Sequence, residues 1–310
     1  MSSMGGQPRV SVIIPHLNEP DDLRRCLLAL DAQRVHGIAF EIIVVDNGSR
    51  QMPSFAATLV PGVRLMREAI PGPGPARNLG AALAEAPLLA FIDADCIAAP
   101  DWLAVIVECF ERNRGVDFAG GDIRILPADP ERLTSIEAYE AIYSYRTQLY
   151  VEQYGFAATG NMAVRTEVFR SIGPFGGIGT MEDTEWGQRA TALGCQIAYL
   201  PDARVYTPSC RSFAELARRW DRHIAHEFGE IRGRRFWLAR WLGKSALMAA
   251  SPLGETIRIL RTDRVDTWRE RALALGCLTR IRLYRATRML ELARHDNAAG
   301  MVDIWNRENR

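Results

Sequence analysis

The sequence predicts an α/β fold, a mixed and mostly parallel sheet flanked by helices and followed by a helical C-terminal extension. Three observations carry this. Short aliphatic and β-branched runs alternate with stretches of helical period through the first hundred residues. Polar residues collect just after several of those runs, where parallel sheets bind ligands. From Ser212 onward the pattern is helical and rich in arginine.

Residues 10–14 form a β-branched run ending at Pro15, which reads as a buried strand. Leu23, Cys26, Leu27 and Leu30 then recur at helical spacing behind an acidic start. A second strand over 41–45 stops at the turn signal Asp46-Asn47-Gly48-Ser49, and 63–66 reads as a third. The segment 70–75, IPGPGP, reads as irregular, and 76–86 as a helix. The apolar strand 88–92 ends in Asp93-Ala94-Asp95, and a helix opens at Pro100 and runs to about Glu111. Strands are expected over 118–125, 162–164 and 196–200, and helices over 134–150 and 183–193. The division this suggests is a catalytic domain over 1–210 and a basic, mainly helical region over 211–310 packing on it.

Charge follows that division. Residues 1–210 carry 17 basic and 25 acidic side chains, and residues 211–310 carry 21 and 12. A basic half of this kind meets an anionic surface, an acidic domain or simply water. The six cysteines are scattered without CxxC or zinc-like spacing, which suits structural thiols in a reducing compartment. No apolar segment resembles a signal peptide or a transmembrane span, so a cytoplasmic protein is expected, with the inner face of the cell membrane as a further location.

Two acidic centres carry the candidate chemistry. Asp93 and Asp95 alternate on an extended segment, and Ala94 between them lets a ligand approach the backbone. Hard cations such as Mg²⁺ and Mn²⁺ take such oxygen ligands together with substrate phosphates. Glu182, Asp183 and Glu185 follow the glycine-rich stretch 173–179. They read either as a helix cap or as a site holding a general base under a closing loop. Asp46 reads either as an Asx-turn residue or as an acceptor for a base or ribose. Arg77 reads either as a phosphate ligand at a helix start or as a surface ion pair.

In order and spacing, VSVIIPHLNEPDDLRRCLLAL, EIIVVDNGS, GPARNLGAALAEAPLLAFIDADC, ATGNMAVRTEVF and EDTEWGQRATALG resemble family 2 glycosyltransferases, inverting enzymes of the GT-A fold. The resemblance spans about 8–210. It implies transfer of a sugar from a nucleotide-diphosphate donor to a carbohydrate or lipid-linked hydroxyl, with Mn²⁺ or Mg²⁺ as cofactor. Surface polysaccharide or glycolipid assembly is the usual setting. Pro15, Asn18 and Glu19 would line the nucleotide pocket, Asp46 would hold the base, and Arg77 would lie near base or diphosphate. Asp93 and Ala94 would meet the donor, with Asp93 on the ribose, and Asp95 would bind the metal. Asp183, with Glu182 beside it, would be the catalytic base, and Gly160, Asn161 and Trp186 would border the acceptor side. The sequence departs from the family at His16, where an aromatic or small hydroxyl residue is frequent, and at Asn47, where a second aspartate is frequent. A nucleotidyltransferase would need a glycine-rich basic loop after the first strand, where this chain has HLNEP. A nicotinamide site would need GxGxxG there. A non-catalytic sugar-binding protein would have no use for two acidic centres.

In the C-terminal part, Arg219, His223 and His226 share a helical face. They read as diphosphate contacts, with His226 completing the metal shell, or as a surface helix packed by Trp220. The segment 231–261 mixes tryptophan, phenylalanine and leucine with arginine and lysine. It suits a helix on an anionic membrane, packing on the acidic half, or a homodimer contact. Nucleic acid is not an expected partner.

Overall fold

The structure is a computed structural model that describes residues 7–129 and 131–295. It divides into two compact units. One comprises Met1–Arg124 with Arg146–Thr207, the other Ile125–Tyr145 with Pro208–Arg310.

The first unit opens with β1 (Val10–His16) and α1 (Pro20–Asp31). Proline in the first turn and Asp21 and Asp22 beside it suit a helix start, and Leu23, Cys26, Leu27 and Leu30 form its buried stripe. Next come β2 (Phe40–Asp46), α2 (Ala56–Leu59), β3 (Val63–Arg67) and α3 (Pro73–Leu83). The last begins inside the stretch read as irregular. Proline lacks only an N–H that the first turn leaves unbonded anyway, so Pro73 and Pro75 start the helix rather than prevent it. The fully buried β4 (Leu88–Ile92) leads through the acidic turn to β5 (Ile97–Ala98), α4 (Trp102–Arg112) and β6 (Phe118–Leu126). After α5 (Ser135–Tyr143), which lies in the second unit, come α6 (Thr147–Tyr154), β7 (Asn161–Arg165), α7 (Thr166–Ile172), α8 (Glu182–Ala192) and β8 (Ile197–Pro208).

The sheet order is β3-β2-β1-β4-β7-β6-β8-β5. The pairs β2–β3, β1–β2 and β1–β4 are parallel, whereas β4–β7, β6–β7 and β5–β8 are antiparallel. His16 stands opposite Asp46, and Ile13 opposite Phe91, so β1, β2 and β4 end side by side. Behind them Phe91, Phe118, Phe169, Phe175 and Trp186 join Ile13, Ile43 and Leu89 in one hydrophobic cluster. The rings meet edge-on, tilted or stacked, with Phe118 and Trp186 centroids 5.4 Å apart at 90°.

In the second unit, α5 packs with α9 (Phe213–Arg232) and α11 (Trp268–His295) around Tyr139, Ile142, Leu216, Leu278 and Ile281. Helix α10 (Trp237–Arg261) joins α9 and α11 through Phe228, Trp241, Met248 and Met289. The helix expected over 134–150 is thus two helices in two units, broken at Ser144–Arg146. Segment 125–145 sides with the C-terminal helices, not with the expected 1–210 block. The apolar face of α5 has its partners there, and a capping box of Thr134 and Glu137 gives the helix its own start. Among the described residues no helix is long and apolar enough to cross a membrane.

Candidate active site

The turn after β4 presents Asp93 and Asp95. Cys96 N–H donates to the Asp93 carbonyl at 3.0 Å and closes the turn. β7 runs antiparallel with Ile92 opposite Asn161, which places Gly160 against Asp93. A Cβ at Gly160 would sit 2.9 Å from Asp93 Oδ2, so glycine leaves the space the carboxylate fills. Asp95 is half-buried, and its pKa is pushed up to about 6 by burial first and by the charge of Asp93 second. Asp93, Asp95 and Cys96 offer ligand atoms within 4.8 Å of one another, the one such group among the described residues. Two crowded carboxylates in a partly dry turn suit a hard divalent cation. The Cys96 thiol does not. Burial pushes its pKa well up, and it donates to Asp95 Oδ1 at 3.5 Å instead.

Arg77, in the second turn of α3, ties this turn to the other acidic centre. Nη2 donates to Asp93 at 2.5 Å, and Nη1 donates to Glu182 at 2.9 Å. The Arg77 side chain is 4% exposed. Burial alone would lower its pKa, but the charges of Asp93 and Glu182 outweigh burial and raise it. It is therefore not a surface ion pair. It is a buried clamp joining residues 93 and 182.

The same helix anchors the loop before α8. Asn78 Nδ2 donates to the Phe175 carbonyl at 3.0 Å and its Oδ1 accepts from Phe175 N–H at 2.9 Å. A Cβ on Gly74 would lie 2.2 Å from the Gly176 carbonyl oxygen, so the two glycine-rich stretches approach backbone to backbone. The loop leads into α8, whose first turn holds Glu182, Asp183 and Glu185. Glu182 is committed to Arg77. Among the described residues Asp183 accepts from the neighbouring Thr184, from its N–H at 2.7 Å and its hydroxyl at 3.3 Å. Burial, then the charge of Glu182, raises the Asp183 pKa above the ordinary carboxylate value.

At the ends of β1 and β2, His16 and Asp46 pair in a dry setting, with His16 Nδ1 3.1 Å from Asp46 Oδ1. Glu19 N–H donates to His16 Nε2 at 3.2 Å, so the neutral ring carries its proton on Nδ1 and donates it to Asp46. Asp46 Oδ2 accepts from Gly48 and Ser49 N–H at 3.3 and 3.1 Å, an Asx turn. Asn18, at φ 56°, accepts from Arg50 N–H on the same turn. Asn47 Nδ2 donates to the carbonyls of Glu68 and Ile70, and its Oδ1 accepts from Gly72 N–H at 2.7 Å. An aspartate could not make those two donations, which accounts for the amide here.

Residues 11–173 match the family model described as Glycosyl transferase family 2. The chain belongs to this family. It is 30% identical to the glycosyltransferase AglE of Haloferax volcanii over 223 residues, 68% of this chain and 70% of that protein. It is also 38% identical to the uncharacterized glycosyltransferase YibD of Escherichia coli over 96 residues, 30% of this chain and 27% of that one. Among solved structures it resembles the mannosyltransferase PcManGT of Pyrobaculum calidifontis, determined in complex with GDP-Man and Mn²⁺. That match has a TM-score of 0.57 at 18% identity, over 94% of this chain and 89% of the other. The fold is of GT-A type and the chain is a glycosyltransferase.

Several positions of this glycosyltransferase differ from expectation. Asp46 is fully buried, with one oxygen paired to His16 and the other shaping the turn. Asn161 was expected beside the acceptor, yet it is buried. It accepts from Trp102 Nε1 at 2.8 Å and donates to the carbonyls of Asp122 and Ala203. Trp186 lies in the aromatic core and donates to the Gly173 carbonyl at 2.8 Å. In the second unit, Arg219 donates to the buried Glu140 at 2.5 Å. His226 is 51% exposed and pairs with Glu230 on its own helix at 3.4 Å. Pro15 and Asn18 are half-buried, Glu19 is exposed and Ala94 is buried at the strand ends. The tethering roles of Asn47 and Asn78 and the bridging role of Arg77 went unread in the sequence. The amides did leave one trace, in that each stands beside a glycine-rich turn that needs a tether.

Proposed function

We propose that this chain transfers a sugar from a nucleotide-diphosphate donor to an acceptor hydroxyl with inversion at the anomeric carbon. The observation that carries this is the Arg77 clamp, which brings the carboxylates after β4 and those at the start of α8 into one site. PcManGT, bound to GDP-Man and Mn²⁺, supports a donor of this class. The nucleotide would lie over the ends of β1, β2 and β4, against Pro15, Asn18, Glu19, Asp93 and Ala94, with His16 and Asp46 stiffening the floor. Gly160 would leave room beside Asp93.

Asp95, with Asp93 beside it, would hold Mn²⁺ or Mg²⁺, which when bound offsets negative charge on the donor diphosphate. Asp183 takes the proton of the acceptor hydroxyl. The hydroxyl oxygen forms its bond to the anomeric carbon as the bond to the diphosphate oxygen breaks, and that electron pair leaves with the nucleoside diphosphate. Attack from the face opposite the leaving group inverts the centre without a covalent intermediate. Glu182 is held by Arg77 and acts as a positioning residue. We further read residues 1–210, without the segment 125–145, as the catalytic domain, acting on surface polysaccharide or glycolipid acceptors in the cytoplasm.

The test is Asp183→Asn with a panel of nucleotide sugars. Turnover should fall by about 10²–10⁴-fold while donor binding stays close to wild type. Surviving turnover would remove Asp183 as the base.

A further inference from the structure

The outward side of α10 is apolar where a surface helix is normally polar. Leu238, Leu242, Leu253, Ile257 and Leu260 are all exposed, Leu253 by 84% and Ile257 by 60%. At 3.6 residues per turn they fall within about 100° of arc and extend over about 33 Å. The buried residues Trp241, Ser245, Met248, Pro252 and Ile259 occupy a separate, narrower sector. On the remaining side stand Arg240, Lys244, Arg258 and Arg261 with the exposed Leu247 among them; Lys244 pairs with Glu227 and Arg258 with Glu255, and Phe236 is exposed at the N-cap of the helix. Residues 231–261 hold seven basic side chains and one acidic, Glu255.

We infer that α10 docks this glycosyltransferase on an anionic lipid surface, its leucine and isoleucine row entering the interface and its basic sector meeting the headgroups. Charge selects this occupant. A second copy would bring the same positive helix against itself, whereas anionic lipid complements it, and amphipathic aliphatic chains complement the apolar row. An exposed apolar row of this length is costly in water and is retained where a partner covers it. The inference stands apart from the proposed chemistry, because vesicle binding is measured without donor or acceptor.

The experiment is cosedimentation of the full chain with vesicles of phosphatidylcholine alone and of phosphatidylcholine with phosphatidylglycerol, at low and high salt. Wild type should pellet with the anionic vesicles, remain largely in the supernatant with neutral ones, and be released by salt. Leu253→Glu with Ile257→Glu should weaken the anionic-vesicle binding by about tenfold or more, since it removes two apolar anchors and adds repulsion. Circular dichroism should find its helix content and melting unchanged, as both sites are exposed. Should that variant melt early, Leu253→Gln with Ile257→Gln carries the same comparison. Failure of wild type to pellet, or pelleting that both variants share, overturns the inference. So does a stable dimer in analytical ultracentrifugation that the variant dissociates, which would give the face to a second copy.

Discussion

Arg77 donates to one carboxylate that follows a strand and another that opens a helix, and the reach of a single guanidinium sets their separation. Removing it leaves both acids facing each other without a cation. Arg77→Ala should therefore cost about 3 kcal/mol of stability, read from the denaturant midpoint. Arg77→Lys should recover little of this, because an ammonium cannot span both partners. The clamp also tunes the base. Asp183 is raised above its ordinary value of 3.8, so activity should fall with decreasing pH along a limb centred above that value. The Arg77 charge acts to lower the Asp183 pKa, so Arg77→Gln should move the limb of kcat/KM to higher pH. A limb that moves to lower pH, or stays fixed, would contradict the coupling. The two acidic clusters of this candidate site were legible in the sequence, because Asp93 and Asp95 stand in a turn and Glu182 and Asp183 at a helix start, where clustered carboxylates are conspicuous. The clamp was not legible, since residues 77 and 182 are joined only by the fold. Asn161 and Trp186 misled because a polar or aromatic side chain near a motif reads the same whether it faces a ligand or the core.

The elements that were read well are those with strong local period. The strands of the parallel half and the stripe of α1 needed only burial on known faces. Those read badly depend on packing between distant segments. Residues 134–150 look like one helix because both halves favour helix, but the halves belong to different cores. The segment 70–75 looked irregular because Pro and Gly break helices except at their start. Two predictions belong to this scale. Asn47→Asp should cost about 1–3 kcal/mol, since the carbonyls of Glu68 and Ile70 lose their donor and gain a facing charge, measurable by chemical denaturation. Gly160→Ala should leave the fold intact by circular dichroism yet weaken Mn²⁺ binding, because its Cβ crowds Asp93 Oδ2 and displaces the carboxylate. Unchanged Mn²⁺ affinity would show that Asp93 does not need that space.

For the whole molecule, the acidic N-terminal part and the basic C-terminal part of the sequence correspond broadly to the two units, apart from 125–145. Folding joins the acidic centres of the first unit into one site, and the second unit carries the exposed apolar row of α10. The claim on which the rest depends is that the turn after β4 holds a nucleoside diphosphate through a divalent cation. Calorimetric titration of wild type and Asp95→Asn with GDP and UDP, each with and without Mn²⁺, tests it most directly. Wild type should bind at least one of them more tightly with Mn²⁺, and Asp95→Asn should lose that gain while keeping its fold. Wild type that binds neither nucleotide, or binds equally well without the cation and in the variant, would contradict the account.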